Sequence, residues 1–506
     1  MIRCSLFLPL FAVSCLVAQE PSTATPTQLT IYNQNFAVAR TTVPLDLHAG
    51  LNDVLTTDVT SQLEPDSVVL RDPSGHNLVR VVEQNYDAAV VDQQWMLQKY
   101  EGKTIDFQIQ GPYVAQTQAG EQIVVPAKMV QGRIVRAGTQ PVNVYGYSPA
   151  TQPLIEVGGK MQFQLPGIPV FPATTDGLLL KPTLRWQIDA AKATRFAAEL
   201  DYITHGMNWQ ATYNMVMPET SDTTAAEVAE VVGWVTIQNE TGSDFPQATV
   251  QLMAGDVAKI KDMRSGVMGG IAAMSVNASV VVDQGVTQKA FDDFHLYDLH
   301  RTVSLRNGET KQVQFLEAEK VSVQRSYQYE GNGPVIQALN AGYYNTQNNF
   351  DSSENKKVSV LEEIRNSTAN HLGMPLPAGR LRLYRRDTDG RMQFVGENMI
   401  THTAAEQKVK IVSGNAFDLT AARRQTNFKV DNAKSTMDES FEIVLSNQKA
   451  QPVTIHAVEH MFRGQNWEIS SKSAEFTKVD SSTIDFPLSV PAKGETSVTY
   501  TVHYSW

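Results

Sequence analysis

The sequence predicts an all-β, multi-domain protein, and three observations carry that prediction. Apolar and polar residues alternate with a period of two in many short runs, from 29–40 at the start of the fold to 498–506 at its end. The helical period of 3.6 is nearly absent. Gly, Pro and Asn punctuate the alternating runs at short spacing, which suits β-turns between short strands. With 506 residues the chain is long enough for two to four domains and a sizeable core. The expected architecture is an antiparallel β-sandwich region over 191–506. A small N-terminal β-domain (20–89) and an inserted small barrel-like module (90–190) precede it, behind a leader at 1–19.

The leader has Arg3 as its positive start, an apolar stretch over 6–13, and small residues at Ser14 and Ala18. That pattern is a secretion signal, too short to span a bilayer as a mature helix. Cleavage near Ala18 or Gln19 is one reading. Lipoprotein processing at Cys15 is the other, with Ala12 at a position where Leu is usual. Both cysteines, Cys4 and Cys15, lie in this segment. Cleavage after Ala18 leaves a chain with no disulfide, thiolate metal ligand or cysteine nucleophile. An exported protein of this kind is expected in the periplasm, at the cell surface or in the medium. No later run of 18 apolar residues predicts a transmembrane helix. A formal net charge of −11 without a basic cluster argues against nucleic acid as a partner.

In chain order, residues 29–40 alternate and begin the fold, with further strands at 53–55, 68–70 and 79–82 and turns at 48–50 and 72–75. The module over 90–190 opens with a helical turn at 97–102, closed by Gly102. Strands at 104–109, 129–135 and 155–157 follow, which would suit a small barrel. Residues 165–172 carry three prolines, which remove ladder donors, so this stretch reads as an extended connector rather than a central strand.

The most informative run is 202–256. Val231, Gly233, Val235 and Ile237 alternate with Val232, Trp234, Thr236 and Gln238, and the apolar mass on both faces predicts a strand buried on both sides. A polar turn over 239–244 and a returning strand over 248–252 complete the reading as a β-hairpin, anchored in the core by Trp209, Tyr213 and Trp234. Two long loops are expected at 258–293 and 329–357, because 263–283 and 331–354 are compositionally biased. Loops of this kind carry function, so ligand contacts are expected there. Asn307-Gly308 signals a second hairpin, between 302–305 and 312–316. Residues 387–390 turn a third, between 380–384 and 392–395. In the last quarter, Phe441, Ile443 and Leu445, then Val453, Ile455 and Ala457, then Val498, Tyr500 and Val502 mark sandwich strands. No fixed-period internal repeat is present.

The chemistry-bearing patterns are few. His456, Glu459 and His460 match H-x-x-E-H, a zinc pattern that works on a helix. Here the flanks predict a strand, on which the two imidazoles stand about 13 Å apart and all three residues read as solvent-facing. Asp298 and His300 fall on one strand face roughly 7 Å apart, as an acid–base or metal pair or as a satisfied polar pair. Asp387, Asp389 and Gly390 imitate a calcium loop but lack its bidentate Glu, so a turn is expected. Arg380, Arg382, Arg385, Arg386 and Arg391 surround that turn, as a solvated face or as a site for an acidic glycan or phosphate headgroup. Serine-hydrolase elbows and phosphate-binding glycine loops are absent. No catalytic, cofactor-binding or metal residue is assigned.

Four stretches in a fixed order resemble the domain of unknown function 4139: residues 233–239 with 251–256, then 294–299, 372–379 and 414–418. The resemblance spans roughly 190–506. Some members are described as mucoidy inhibitors, which implies an envelope or exopolysaccharide connection, though they carry a coiled-coil insertion that this chain lacks. The expectation from residues and resemblance together is an exported bacterial envelope protein with a non-enzymatic binding or scaffolding role, toward an envelope partner or glycan. An envelope hydrolase acting on glycan or peptide is the alternative. The alternating final strand, ending at Trp506, leaves an outer-membrane β-barrel as a third. Ligand and oligomeric state stay open.

Overall fold

The computed structural model describes residues 26–506 apart from 77–78, 89–90, 117–121, 139–150, 174–178, 220–225, 256, 260–286, 292–293, 332–345, 347 and 349–354. Among the described residues there are thirty strands and one α-helix, so the all-β expectation holds. Strand pairing is mixed rather than purely antiparallel. Gln28–Tyr32 runs parallel to Phe245–Ala254, Met207–Met217 parallel to Gly379–Arg386, and the end of Glu309–Glu330 parallel to Val453–His460.

The first sandwich packs a seven-stranded sheet on one half of a thirteen-stranded sheet. Its core holds Leu29, Ile31, Leu45, Trp186, Leu200, Trp209, Tyr213, Leu252, Tyr297 and Phe315. The N-terminal stretch is therefore not a separate domain. Phe36–Leu47 pairs along its whole length with Thr194–His205, and Leu29 and Ile31 share this core with residues nearly 400 positions away, such as Ile411. The strands of this stretch bury their apolar face in the core of the first sandwich.

Two connections expected as hairpins are instead arches that carry the chain from one sheet to the other, whereas the hairpin expected around 387–390 pairs Gly379–Arg386 with Met392–Ile400. Glu227–Asn239 lies in the large sheet and Phe245–Ala254 in the seven-stranded one; Phe294–Leu305 and Glu309–Glu330 are likewise divided. The arches clasp each other. Gly308 N–H donates to Asn239 O (2.6 Å), Asn307 N–H to Asp244 Oδ1 (2.7 Å), and Glu240 N–H to Gly206 O (2.6 Å). Asn239 fills the bend: its amide donates to Ser243 O and Leu305 O, while its Oδ1 accepts from Thr241 N–H. Asn447 repeats the device with Gln451 O, Pro491 O and Lys449 N–H. Asn366 does so with Met374 O, Ala404 O and Gly373 N–H.

The module around 93–170 has its own core of Leu97, Tyr100, Ile105, Phe107, Ile134 and Ile155. Asp92 caps the helix Gln93–Lys99 by accepting from Trp95 N–H (2.7 Å). The five-strand order ends on Lys160–Gln162 and Ile168–Val170, which do not pair with each other, so the sheet is open rather than a barrel. Pro169 sits on the latter edge strand, where a missing donor costs no ladder bond.

The second sandwich closes the chain around Tyr329, Phe441, Ile443, Ile455, Phe486, Val498, Tyr500 and Val502. Two strands of 22 and 24 residues, Glu309–Glu330 and Lys408–Asp431, run through both sandwiches by changing partners midway. Between them the large sheet curls until Met392–Ile400 returns to Lys408–Asp431. There the Asn398 amide takes the place of a ladder, donating to Val412 O (2.7 Å) and accepting from Val412 N–H (3.1 Å). Of the two expected long loops, most of 258–293 and 329–357 lies outside the described residues. Within them, Thr287–Phe291 is a strand paired with Phe294–Leu305, and Tyr329 and Glu330 end a long strand.

Candidate functional site

The sequence-selected residues fall into two groups, those locked into the fold and those displayed on one face. His456, Glu459 and His460 lie on a strand, Val453–His460, as the flanking residues predict. His456 Nδ1 meets Asp485 Oδ2 at 2.7 Å, and His460 Nδ1 meets Thr483 Oγ1 at 3.0 Å. Glu459 is not solvent-facing: it is fully buried. It accepts from Arg423 Nε (2.9 Å) and Tyr500 OH (2.5 Å), and burial pushes its carboxyl up against the pull of Arg423. A second buried pair lies beside it, with Arg463 gripping Glu439 through two 2.7 Å bonds. The void lined by Arg423, Glu439, His460, Arg463 and Tyr500 has a volume of about 10 Å³, room for a single water. These groups brace the second sandwich.

Asp298 and His300 do come together. Asp298 Oδ1 accepts the His300 backbone N–H at 2.8 Å and lies 3.3 Å from His300 Nδ1, while Gln251 donates to Asp298 Oδ2 at 2.9 Å. His300 has φ of +46°, at a bulge in the pairing with Phe245–Ala254, so the pair fastens an irregular strand. Asp387 to Gly390 forms a turn, with Gly390 N–H on Asp387 O and Gly390 φ at +80°. Among the described residues no group of three His, Cys, Asp or Glu side chains is placed to share a metal ion.

The aromatic anchors divide. Trp209 and Tyr213 are core residues. Trp209 donates to Met253 O, Tyr213 OH to Pro377 O and Tyr297 OH to Pro375 O, so residues 372–379 are pinned by hydroxyls from both sheets. Trp234, expected in the core, is only half-buried, as is Val232. Glu227–Asn239 has one buried face, because Gly233 points inward and meets Phe315, leaving Trp234 on the outside.

Register then places Trp234 and the arginines on one continuous outer face. Residues directly opposite in a sheet share a face. Met399, Arg380, Thr212, Trp234 and Gln314 form one row across five strands. Glu397, Arg382, Asn214, Val232 and Glu317 form the next, and Phe394, Tyr384, Val216 and Glu230 the third. All of these side chains are half-buried or exposed, whereas their neighbours Tyr213, Met215, Leu381 and Leu383 are buried. Tyr384 and Phe394 meet edge to face at 5.8 Å. Strand spacing and rise put Trp234 roughly 16 Å from Tyr384. Glu397 is shared by Arg380 (3.9 Å) and Arg382 (3.5 Å), both loosely. Arg386 meets Glu230 at 3.3 Å and Arg391 meets Asp389 at 3.3 Å. Arg385 alone turns inward. The hairpin 379–400 holds five arginines and three carboxylates, two positive charges in a chain of net −11.

No family model matches this chain, and no curated protein matches it.

Proposed function

We propose that the protein is an exported envelope protein with a non-enzymatic binding role, and that the outer face of the curled sheet is its binding surface for an acidic glycan. The observation that carries this reading is the placement of Trp234, Tyr384 and Phe394 on one solvent-facing sheet together with Arg380, Arg382, Asn214, Thr212 and Gln314. Aromatic faces stack on the C–H faces of sugars, guanidinium groups engage carboxylates in pairs, and amide and hydroxyl groups serve both donors and acceptors. The leader-like start supports the compartment. The ordered motifs that resemble domain of unknown function 4139 belong to the same proposal, and they build the scaffold under the face.

The test is titration of the chain without residues 1–19 against polygalacturonate, with dextran as the neutral control. Binding to the acidic polymer is expected to weaken at least tenfold in Trp234→Ala, in the pair Tyr384→Ala with Phe394→Ala, and in the pair Arg380→Gln with Arg382→Gln. Arg195→Gln, an exposed arginine on the other sheet, should leave it unchanged. Equal affinity in all variants would remove the face from consideration. Turnover of the polymer, lost on replacing Asp298 or His300, would turn the reading to the hydrolase.

A further inference from the structure

Beneath the outer face, on the inward side of the same sheet, four charged side chains from four strands meet. Glu227 opens Glu227–Asn239, Arg325 lies on Glu309–Glu330, Glu362 on Lys357–Arg365 and Arg385 on Gly379–Arg386. Arg385 Nη1 lies 2.8 Å from Glu227 Oε2, and the same guanidinium donates to Pro218 O at 3.2 Å. Glu362 is served less well. Arg385 Nη2 stands 3.5 Å from its Oε1 and Arg325 Nε 3.8 Å. Among the described residues no donor reaches Glu362 Oε2 or either oxygen of Glu227 in hydrogen-bonding geometry. Arg325 is drawn toward Glu227 as well (3.7 Å) and lies over the Tyr327 ring, which also carries the Lys449 ammonium. The side chain of Glu362 is 1% exposed.

A buried carboxylate whose cations stand this far off is undercompensated, because the loss of hydration exceeds the attraction returned. Burial is accordingly the largest influence on Glu362. It pushes the carboxyl up to about 7 against Arg325 and Arg385, with Glu227 pushing the same way.

We propose that this cluster is a proton-operated joint: Glu362 carries a proton in the closed sheet, and its ionisation favours states in which the hairpin 379–400 lifts and Glu362 meets water. The regulatory meaning rests on the reading of the outer face as the binding surface, since Tyr384 and Arg386 flank Arg385. The sign follows from linkage. A carboxyl held neutral in the closed form binds more protons than in the open form, so closure is favoured at low pH. That preference declines as pH rises from the ordinary carboxylate range toward about 7.

Two measurements on the chain without residues 1–19 test it. Infrared difference spectra at pH about 6 should show a protonated carboxylic-acid band that is absent from Glu362→Gln and kept in Glu459→Gln. Hydrogen exchange, corrected for its intrinsic pH dependence, should show protection of residues 379–400 falling up to about tenfold per pH unit as Glu362 ionises. Glu362→Gln should abolish that dependence. A carboxylic-acid band that keeps its full amplitude in Glu362→Gln, or the same pH dependence in that variant, overturns the joint. Loss of polygalacturonate binding in the face variants is scored separately at fixed pH. A joint without glycan binding, or glycan binding without a joint, therefore assigns failure to one proposal and not the other.

Discussion

Replacing Asn366 by Ala tests whether the stretch at 372–379 is a structural clasp. Asn366 is fully buried. Its amide donates to Met374 O (2.9 Å), Ala404 O (3.0 Å) and, more weakly, Thr403 O (3.3 Å), and its Oδ1 accepts from Gly373 N–H at 3.0 Å. The Ala variant leaves the Gly373 N–H and three carbonyls without the Asn366 side chain; Thr403 O keeps the Leu376 N–H (2.8 Å) and Ala404 O a long bond from Gln407 N–H (3.4 Å). At about 1–3 kcal/mol for each orphaned group, and allowing for non-additivity within one side chain, the loss comes to about 3–5 kcal/mol. Asn370, four residues on, is the control. It also makes three bonds, with Ser322 N–H, Ser322 O and Arg365 O, but it is only half-buried and these bonds are open to water, which replaces them. Asn370→Ala should cost only about 0.5–1.5 kcal/mol. Urea unfolding of the two variants, followed by tryptophan fluorescence, gives both values. Equal losses, or a loss under about 1 kcal/mol for Asn366→Ala, would refute the argument that burial of the bend sets its worth.

Three further outcomes are expected. Trp209→Ala should cost about 3–5 kcal/mol and Trp234→Ala only about 1–2, because one ring is buried and the other half-exposed; thermal or urea midpoints order them. Gly379→Ala should cost about 1–3 kcal/mol or more, since a methyl there would lie 2.2 Å from Ala211 O on the paired strand; a neutral result in urea melts would mean the strands part freely. The hydrogen bond that His456 donates to Asp485 raises His456 above its ordinary value. Its contribution is then fully present below about pH 6.5 and lost as pH rises through the raised value. Solvent screening limits it to about a few tenths of a kcal/mol, so the melting temperature of His456→Gln should lose only a small acid-side increment.

The period of two in the sequence locates strands well, because each strand has one committed face. Tyr213, Leu381, Ile443 and Val502 are all inward, as alternation requires. It does not say which strand pairs with which. Asn307-Gly308 has the turn chemistry of a hairpin, and the same φ-permissive glycine serves an arch between two sheets. Glu459 shows the same limit. Alternation sets it opposite His456 and His460, but its burial depends on Arg423 and Tyr500, which reach it from distant strands. The candidate face is the strongest case. Arg380 and Trp234 are each visible in the sequence, yet their common row runs through Thr212, by way of a parallel pairing between residues more than 160 positions apart.

Strand alternation also separates what holds this sheet from what it displays. Gly233, Tyr213 and Leu381 are inward; Trp234, Asn214 and Arg382 are their immediate neighbours and point out. Changes on the outer side remove little buried area, so they carry a small cost to stability. Changes on the inner side do the reverse. Arg385 joins the two: it lies in the strand between Tyr384 and Arg386, and its own side chain turns inward to Glu227 and Glu362. If binding and stability respond independently to every outer substitution yet together to Arg385→Gln, the buried charge cluster is the place where the fold and the face are coupled.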